Sequence, residues 1–353
     1  MAHYPKYQMV IDYIIDKINK KELVSGDKIP SENQFSEMLD VSNITVRRAM
    51  SDLVNSGIIY RVKGKGSFVS TRSIQEKKKS NRLVAFLFSE GLNGNAYMQF
   101  ISYMQKYFLK HSYSLISESI DDNMQNELSI IQKLIDKHVE GFIIYSKNPE
   151  NSIPSFKALE DNNIPFVLID RYTPLFPTNY IGSNNHDGSL SAVRHLIALQ
   201  HIGIAFIAHQ FYLSSERERY NGYLDGLISA QLPFNQEYCF TEESTNYEQL
   251  ITHIKDGSIT AIVAVNDYCA INVMNYITQA GLHIPNDVLL IGFDDSDIIK
   301  QTMIPLTTVK QFFNEIGYSA AKLLVESINQ NRHDYNHKEV GTKLIVREST
   351  QAK

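Results

Sequence analysis

Along the first 70 residues the spacing of apolar positions changes element by element. Met9, Val10, Tyr13, Ile14 and Ile18 recur at helical spacing and predict an amphipathic helix over 7–20. Behind Pro30, Phe35, Met38 and Leu39 form the stripe of a second, shorter helix, and Ser31 with Gln34 supplies an S-x-x-Q capping box. Val46, Ala49, Met50 and Leu53 then fall at i, i+3, i+4 and i+7, with Ser42 as cap and Gly57 as stop. The outward face of this third helix reads Asn43, Thr45, Arg48 and Ser51, with Arg47 at its edge. The period next drops to two: IIYRV and SFVS flank the glycines of KGKG, which predicts a β-hairpin. Three helices followed by a basic hairpin make a winged helix-turn-helix over 1–70.

Residues 71–82 lack apolar periodicity and are rich in lysine and arginine, so they read as a linker. From Leu83 onward short apolar runs alternate with helical patterns: LVAFLF, YSLISES, GFIIY, PFVLID, IAFIA, AIVAV and VLLIGF. Runs of this kind separated by amphipathic segments are the signature of βαβ units. The fold class is therefore α/β, with a body over 83–353 made of two doubly wound lobes. In such sheets a ligand binds in the crevice beyond the carboxyl ends of the strands.

Charge divides the chain in the same place. Residues 1–82 carry 15 lysines and arginines against 9 acidic residues, a net of +6, whereas 83–353 carry 19 against 30, a net of -11. A basic head on an acidic body points to a polyanionic partner for the head alone. Cys239 and Cys269 lie far apart, with no C-x-x-C partner, and read as small apolar side chains. No apolar run approaches a membrane span, and the first residues lack the apolar core of a secretory signal, so a cytoplasmic location and no membrane partner are expected.

The lysines and glycines of KGKGS could suit either a nucleotide phosphate or DNA, but a Walker loop needs G-x-x-x-x-G-K-[ST] ahead of a helix. A hairpin tip facing DNA phosphates fits better. An enzyme on this α/β body is one rival reading and a solute-binding protein another. The chain has no G-x-S-x-G and no G-x-G-x-x-G after the first body strand. The histidines of HDG, 186–188, and HQ, 209–210, read as isolated surface or loop residues. No catalytic residue, metal site or cofactor is expected.

The stretch SGDKIPSENQFSEMLDVSNITVRRAMSDLVNSGIIYRVKGKGSFV resembles the DNA-binding domain of GntR-family regulators. IGSNNHDGSLSAVRHLIALQHIGIAFI, ERERYNGYLDGL, AVNDYCA and IGFDDSDIIKQTMIPLTTVKQ resemble, in order and separation, the effector-binding domain of the LacI/GalR family, whose fold is periplasmic-binding-protein-like. The combination is similar to the arabinose repressors of low-GC Gram-positive bacteria. That resemblance implies a dimeric repressor of pentose utilisation genes, bound to palindromic double-stranded operator DNA and released by a small sugar, with L-arabinose the expected effector.

On the head, the resemblance puts Asn33, Ser42, Asn43, Thr45 and Arg47 at the DNA, with Lys63, Gly64, Lys65 and Gly66 as the wing. Asn33 and Asn43 stand where the family often has arginine, so base preference is this chain's own. Ser42 can also serve only as a cap, and Arg48 only as a solvated charge. On the body, the resemblance puts Asp170, Arg219, Asn266, Asp294 and Gln311 at or just after strand ends in the crevice, with Tyr97 and Lys147 at its rim. Alternatives stay open: Asp170 or Asp294 can cap the next element, and Arg219 can pair with Glu216 or Asp225. Asp267 is expected to cap the helix DYCAINVMNYI. A sugar that closes the lobes would re-angle a dimer interface on the body and so separate the heads from their half-sites.

Overall fold

The computed structural model describes residues 6–70, 82–89, 94–120, 124–209, 211–241, 247–330 and 335–351. It forms two compact units that divide between Arg82 and Leu83. The expected linker, except Arg82, lies outside the described residues; Arg82 itself is the first residue of a strand.

In the first unit, α1 (Lys6–Asn19), α2 (Glu32–Leu39) and α3 (Asn43–Asn55) precede the antiparallel hairpin β1 (Ile59–Val62) and β2 (Gly66–Val69). The capping box of α2 forms as expected: Ser31 N–H donates to Gln34 Oε1 at 2.8 Å, and Ser31 Oγ accepts from Gln34 N–H at 3.4 Å. Gly57, at φ +65°, ends α3 with Ile58 N–H donating to Leu53 O at 3.0 Å. Val10, Ile14, Phe35, Val46, Met50 and Leu53 are the buried side chains that join the three helices. At the hairpin tip Lys65 N–H donates to Val62 O at 3.0 Å, and Gly64 takes φ +77°, a turn position that favours glycine.

The second unit has two lobes, each on a six-stranded sheet. The first lobe contains β3 (Arg82–Ser89), α4 (Gly94–Lys110), β4 (Tyr113–Ile120), α5 (Met124–Asp136), β5 (Val139–Tyr145), α6 (Ile153–Asp161), β6 (Phe166–Ile169) and β7 (Asn179–Ser183). The second contains α7 (Asn185–Ala198), β8 (Ile204–Ala208), α8 (Ser214–Ser229), β9 (Cys239–Thr241), α9 (Tyr247–Lys255), β10 (Ala261–Ala264), α10 (Asp267–Gln279), β11 (Leu289–Asp294) and β12 (Thr307–Lys310). The chain then returns: α11 (Phe313–Gln330) packs in the core of the first lobe and β13 (His337–Val340) joins its sheet, while β14 (Lys343–Ile345) closes the second.

The sheet orders are β13-β7-β6-β5-β3-β4 and β14-β12-β11-β10-β8-β9. The pairs β3/β5, β5/β6, β6/β7, β8/β10, β10/β11 and β11/β12 are parallel. All seven apolar runs become strands. β7, β9, β12, β13 and β14 are additional; they are short and carry polar or isolated apolar residues instead of a continuous run. The chain passes between lobes three times, after β7, β12 and β13, and these crossings place the carboxyl ends of both sheets around one crevice. In the second lobe α8 packs tightly on α7, since a Cβ at Gly222 would lie 2.1 Å from the His186 carbonyl oxygen.

Candidate functional site

On the head, α3 begins with its polar groups already ordered. Ser42 Oγ accepts from Thr45 N–H at 3.2 Å and lies 2.7 Å from Thr45 Oγ1, so Ser42 is a cap whose hydroxyl is tied to Thr45. Asn33, Ser42, Asn43 and Arg47 are exposed, while Thr45 is only partly so. Glu32, in the first turn of α2, joins two elements: Arg47 Nε donates to its Oε2 at 3.2 Å, and Arg61 Nη2 donates to its Oε1 at 2.8 Å. One carboxylate thereby holds a guanidinium of α3 and a guanidinium of the wing side by side. Arg48, read as a solvated charge or a DNA contact, instead lies over the Tyr7 ring at 4.6 Å and packs back onto α1. Lys63, Gly64, Lys65 and Gly66 are exposed at the hairpin tip.

On the body, Asp294 ends β11 and is the centre of a polar cluster. Gln311 Nε2 donates to Asp294 Oδ1 at 2.6 Å, and Arg219 Nη1 lies 3.7 Å from the same oxygen. Burial pushes the Asp294 carboxyl up to about 7, with Arg219 opposing the shift. Arg219 itself does not stand at a strand end, contrary to expectation. It lies in the second turn of α8 and reaches the strand ends by its length: Nη1 donates to Val265 O at 2.7 Å and Nε to Asn185 Oδ1 at 2.8 Å. Its guanidinium stacks over the Phe293 ring at 3.8 Å. Its ionic partner is therefore Asp294, not Glu216 or Asp225; Asp225 instead meets His186 at 2.9 Å.

Asn266 follows β10 and caps α10, accepting from Cys269 N–H at 2.8 Å, while its amide donates to His209 Nε2 at 2.9 Å. Asp267 is consequently not the cap. It is fully buried and accepts from Ser296 N–H at 2.8 Å, Ser296 Oγ at 2.9 Å and Thr308 Oγ1 at 2.6 Å. Those bonds secure the loop in which Asp294 and Asp295 adopt φ +120° and +55°, a strained backbone for non-glycine residues.

The first lobe contributes Asp170, buried just after β6 at φ +68° and likewise not a simple helix cap. Arg171 Nε lies 3.4 Å from Asp170 Oδ2, its Nη1 donates to Lys147 O at 2.9 Å, and its guanidinium lies 5.6 Å from the Tyr145 ring centre. Burial works against the charged form of Arg171, but the fields of Tyr145, Asp170, Glu216 and, least, Asp294 favour it more, and its affinity for the proton is raised. Lys147 takes part through its backbone, and its side chain is exposed. Tyr97 is engaged elsewhere: its hydroxyl lies 3.1 Å from Ser117 Oγ and its ring packs 4.7 Å from that of Phe88.

Arg171 and His209 are the residues that sequence reasoning missed. Arg171 adjoins Asp170 in PFVLIDR, and a cation directly after a strand-end carboxylate was a usable signal. His209 sits just past IAFIA, in the same strand-end position as Asn266. Together the crevice offers two guanidiniums, two carboxylates and two amides beside aromatic rings. Alternating donors and acceptors of this kind match a small ligand bearing several hydroxyls.

Residues 6–69 match the bacterial regulatory proteins of the gntR family, and residues 193–350 match a periplasmic binding protein-like domain. The chain is a GntR-headed transcriptional regulator. The regulator is 28% identical to the arabinose metabolism transcriptional repressor of Halalkalibacterium halodurans, over 98% of this chain and 96% of that one. It is 26% identical to the protein of the same name from Geobacillus stearothermophilus, over 98% of each chain. A LacI-family regulatory protein from Chloroflexus aggregans superposes with a TM-score of 0.67 at 27% identity, covering 76% of the regulator and 98% of the other chain. The regulator's body thus has the LacI-type two-lobed fold, as the sequence led us to expect.

Proposed function

We propose that the regulator is a cytoplasmic, sugar-responsive repressor that binds a palindromic operator as a homodimer and is released by a small sugar, L-arabinose. The observation that carries this reading is the Arg219–Asp294–Gln311 cluster at the crevice of a body joined to a GntR-type head. Similarity to arabinose metabolism repressors along nearly the whole chain supports L-arabinose in particular.

In this account Arg219 and Arg171 donate to sugar hydroxyl oxygens, and Asp294 and Asp170 accept from sugar hydroxyls. Asn266 fixes the ligand against the second lobe. Gln311 and Ser183 transmit closure, because they stand on two of the crossings between lobes. The head binds through Arg47, Asn43 and the wing lysines, whose charge matches the net +6 of residues 1–82, head and linker together.

A homodimer gives the apolar groove on the second lobe an occupant. Ile271, Met274, Ile298, Met303 and Ile304 line a groove of about 610 Å³, and Met303 is 96% exposed. Titrating upstream DNA with the protein, with and without each of L-arabinose, D-xylose, D-ribose and D-glucose, tests the proposal. Selective weakening by L-arabinose is the expected result, and operator binding indifferent to every sugar overturns the effector assignment.

A further inference from the structure

The core face of α3 is centred on Val46, Ala49, Met50 and Leu53, all buried. The residue opposite that face is Ile44, three and four positions before Arg47 and Arg48. Ile44 is 79% exposed, more than any other large apolar side chain of the described head. A single exposed isoleucine on an ordinary surface needs no explanation. This one stands in the first turn of α3, beside exposed Asn43 and one turn from Arg47. Its neighbours are suited to phosphates and base edges, and among major-groove groups the thymine C5-methyl is the apolar one.

We propose that Ile44 reads a thymine methyl in the operator half-site and is a determinant of base preference. The proposal rests on the reading of α3 as the helix that enters the major groove. Asn43 and Arg47 recognise base edges or phosphates by hydrogen bonding; Ile44 adds discrimination by van der Waals contact, which excludes water from the methyl and the side chain together. Cytosine at the same place presents an amino group and no methyl, so it leaves the isoleucine against a polar edge.

The test uses the full chain and an operator selected from randomised duplexes. Each thymine in one half-site is replaced in turn by uracil, which removes the methyl and leaves the hydrogen-bonding edges unchanged. For the wild type, one position should weaken binding by about fourfold, the worth of one buried methyl. For Ile44→Ala the same replacement should have no effect, while Ile44→Val should retain part of it. Ile44 is exposed, so these variants should fold. If wild type and Ile44→Ala respond identically to uracil at every position, the inference is overturned while α3 keeps its place in the groove. If Arg47→Ala also leaves selective binding unchanged, the reading of α3 fails first.

Discussion

Ser183 Oγ donates to Gln311 Oε1 at 2.6 Å, and both residues are buried where the chain passes between lobes. Since the Gln311 amide nitrogen donates to Asp294, one side chain ties a lobe crossing to the carboxylate proposed to meet the effector. Under the proposed function, this tie joins lobe closure to ligand contact.

Removing that tie should cost stability before it costs anything else. Gln311→Ala leaves a buried hydroxyl and a buried carboxyl each short of a partner, which should destabilise the body by about 1–3 kcal/mol. Urea denaturation of the full chain measures it. A variant that retains operator binding but shows a shallower response to sugar supports the transmission role.

Arg219→Ala should leave operator binding intact and abolish release. A hydrogen bond to a charged group contributes about 1.5–3 kcal/mol, so sugar affinity should fall roughly 10- to 150-fold. Calorimetric titration of the free variant with L-arabinose reads this directly. Arg219→Lys keeps the charge but not the fork to Asn185 and Val265, and should recover only part of the loss.

Sugar affinity should depend on pH through Asp294. Burial raises its carboxyl to about 7, so the folded chain keeps a proton there that the unfolded chain loses near 4. Its contribution to stability is full below that lower value, declines as pH rises, and is gone above about 7. Sugar hydroxyls that donate to Asp294 favour the ionised form, so affinity should rise from pH 5 to 7 by up to about tenfold per unit and then level off. Calorimetry in two buffers of different ionisation enthalpy should show proton release at pH 6 and little at pH 8.

On the head, Arg47→Ala should weaken operator binding by about 1–3 kcal/mol with the body still folded. Glu32→Gln should change stability by less than about 1 kcal/mol, since its ion pairs are exposed. It should nevertheless raise affinity for unrelated DNA, because a negative charge is removed and Arg47 and Arg61 are released. Parallel anisotropy titrations on operator and scrambled duplexes measure the resulting loss of discrimination.

The helices of the head and the seven apolar strands were legible because burial imposes a period on the sequence. β7, β12 and β13, which make up the lobe crossings, were not, since their pairing depends on neighbours far along the chain. Asp170, Asn266, Asp294 and Gln311 were named by resemblance, and the structure brings each to the end of a strand or just after one, as expected. Arg219 was found by resemblance but placed wrongly, because a long side chain on a helix can reach a strand end that its backbone does not occupy. The cap of α10 falls to Asn266 instead of Asp267 for a related reason: adjacent polar residues at a helix start compete for the cap, and only the tertiary partners Ser296 and Thr308 decide it.

The most direct test of the account is operator affinity at fixed salt, measured by fluorescence anisotropy on upstream DNA with and without L-arabinose. The account predicts tight, sequence-selective binding that L-arabinose weakens saturably in the wild type and leaves unchanged in Arg219→Ala. Tight operator binding that L-arabinose does not alter, or alters equally in both proteins, would contradict it.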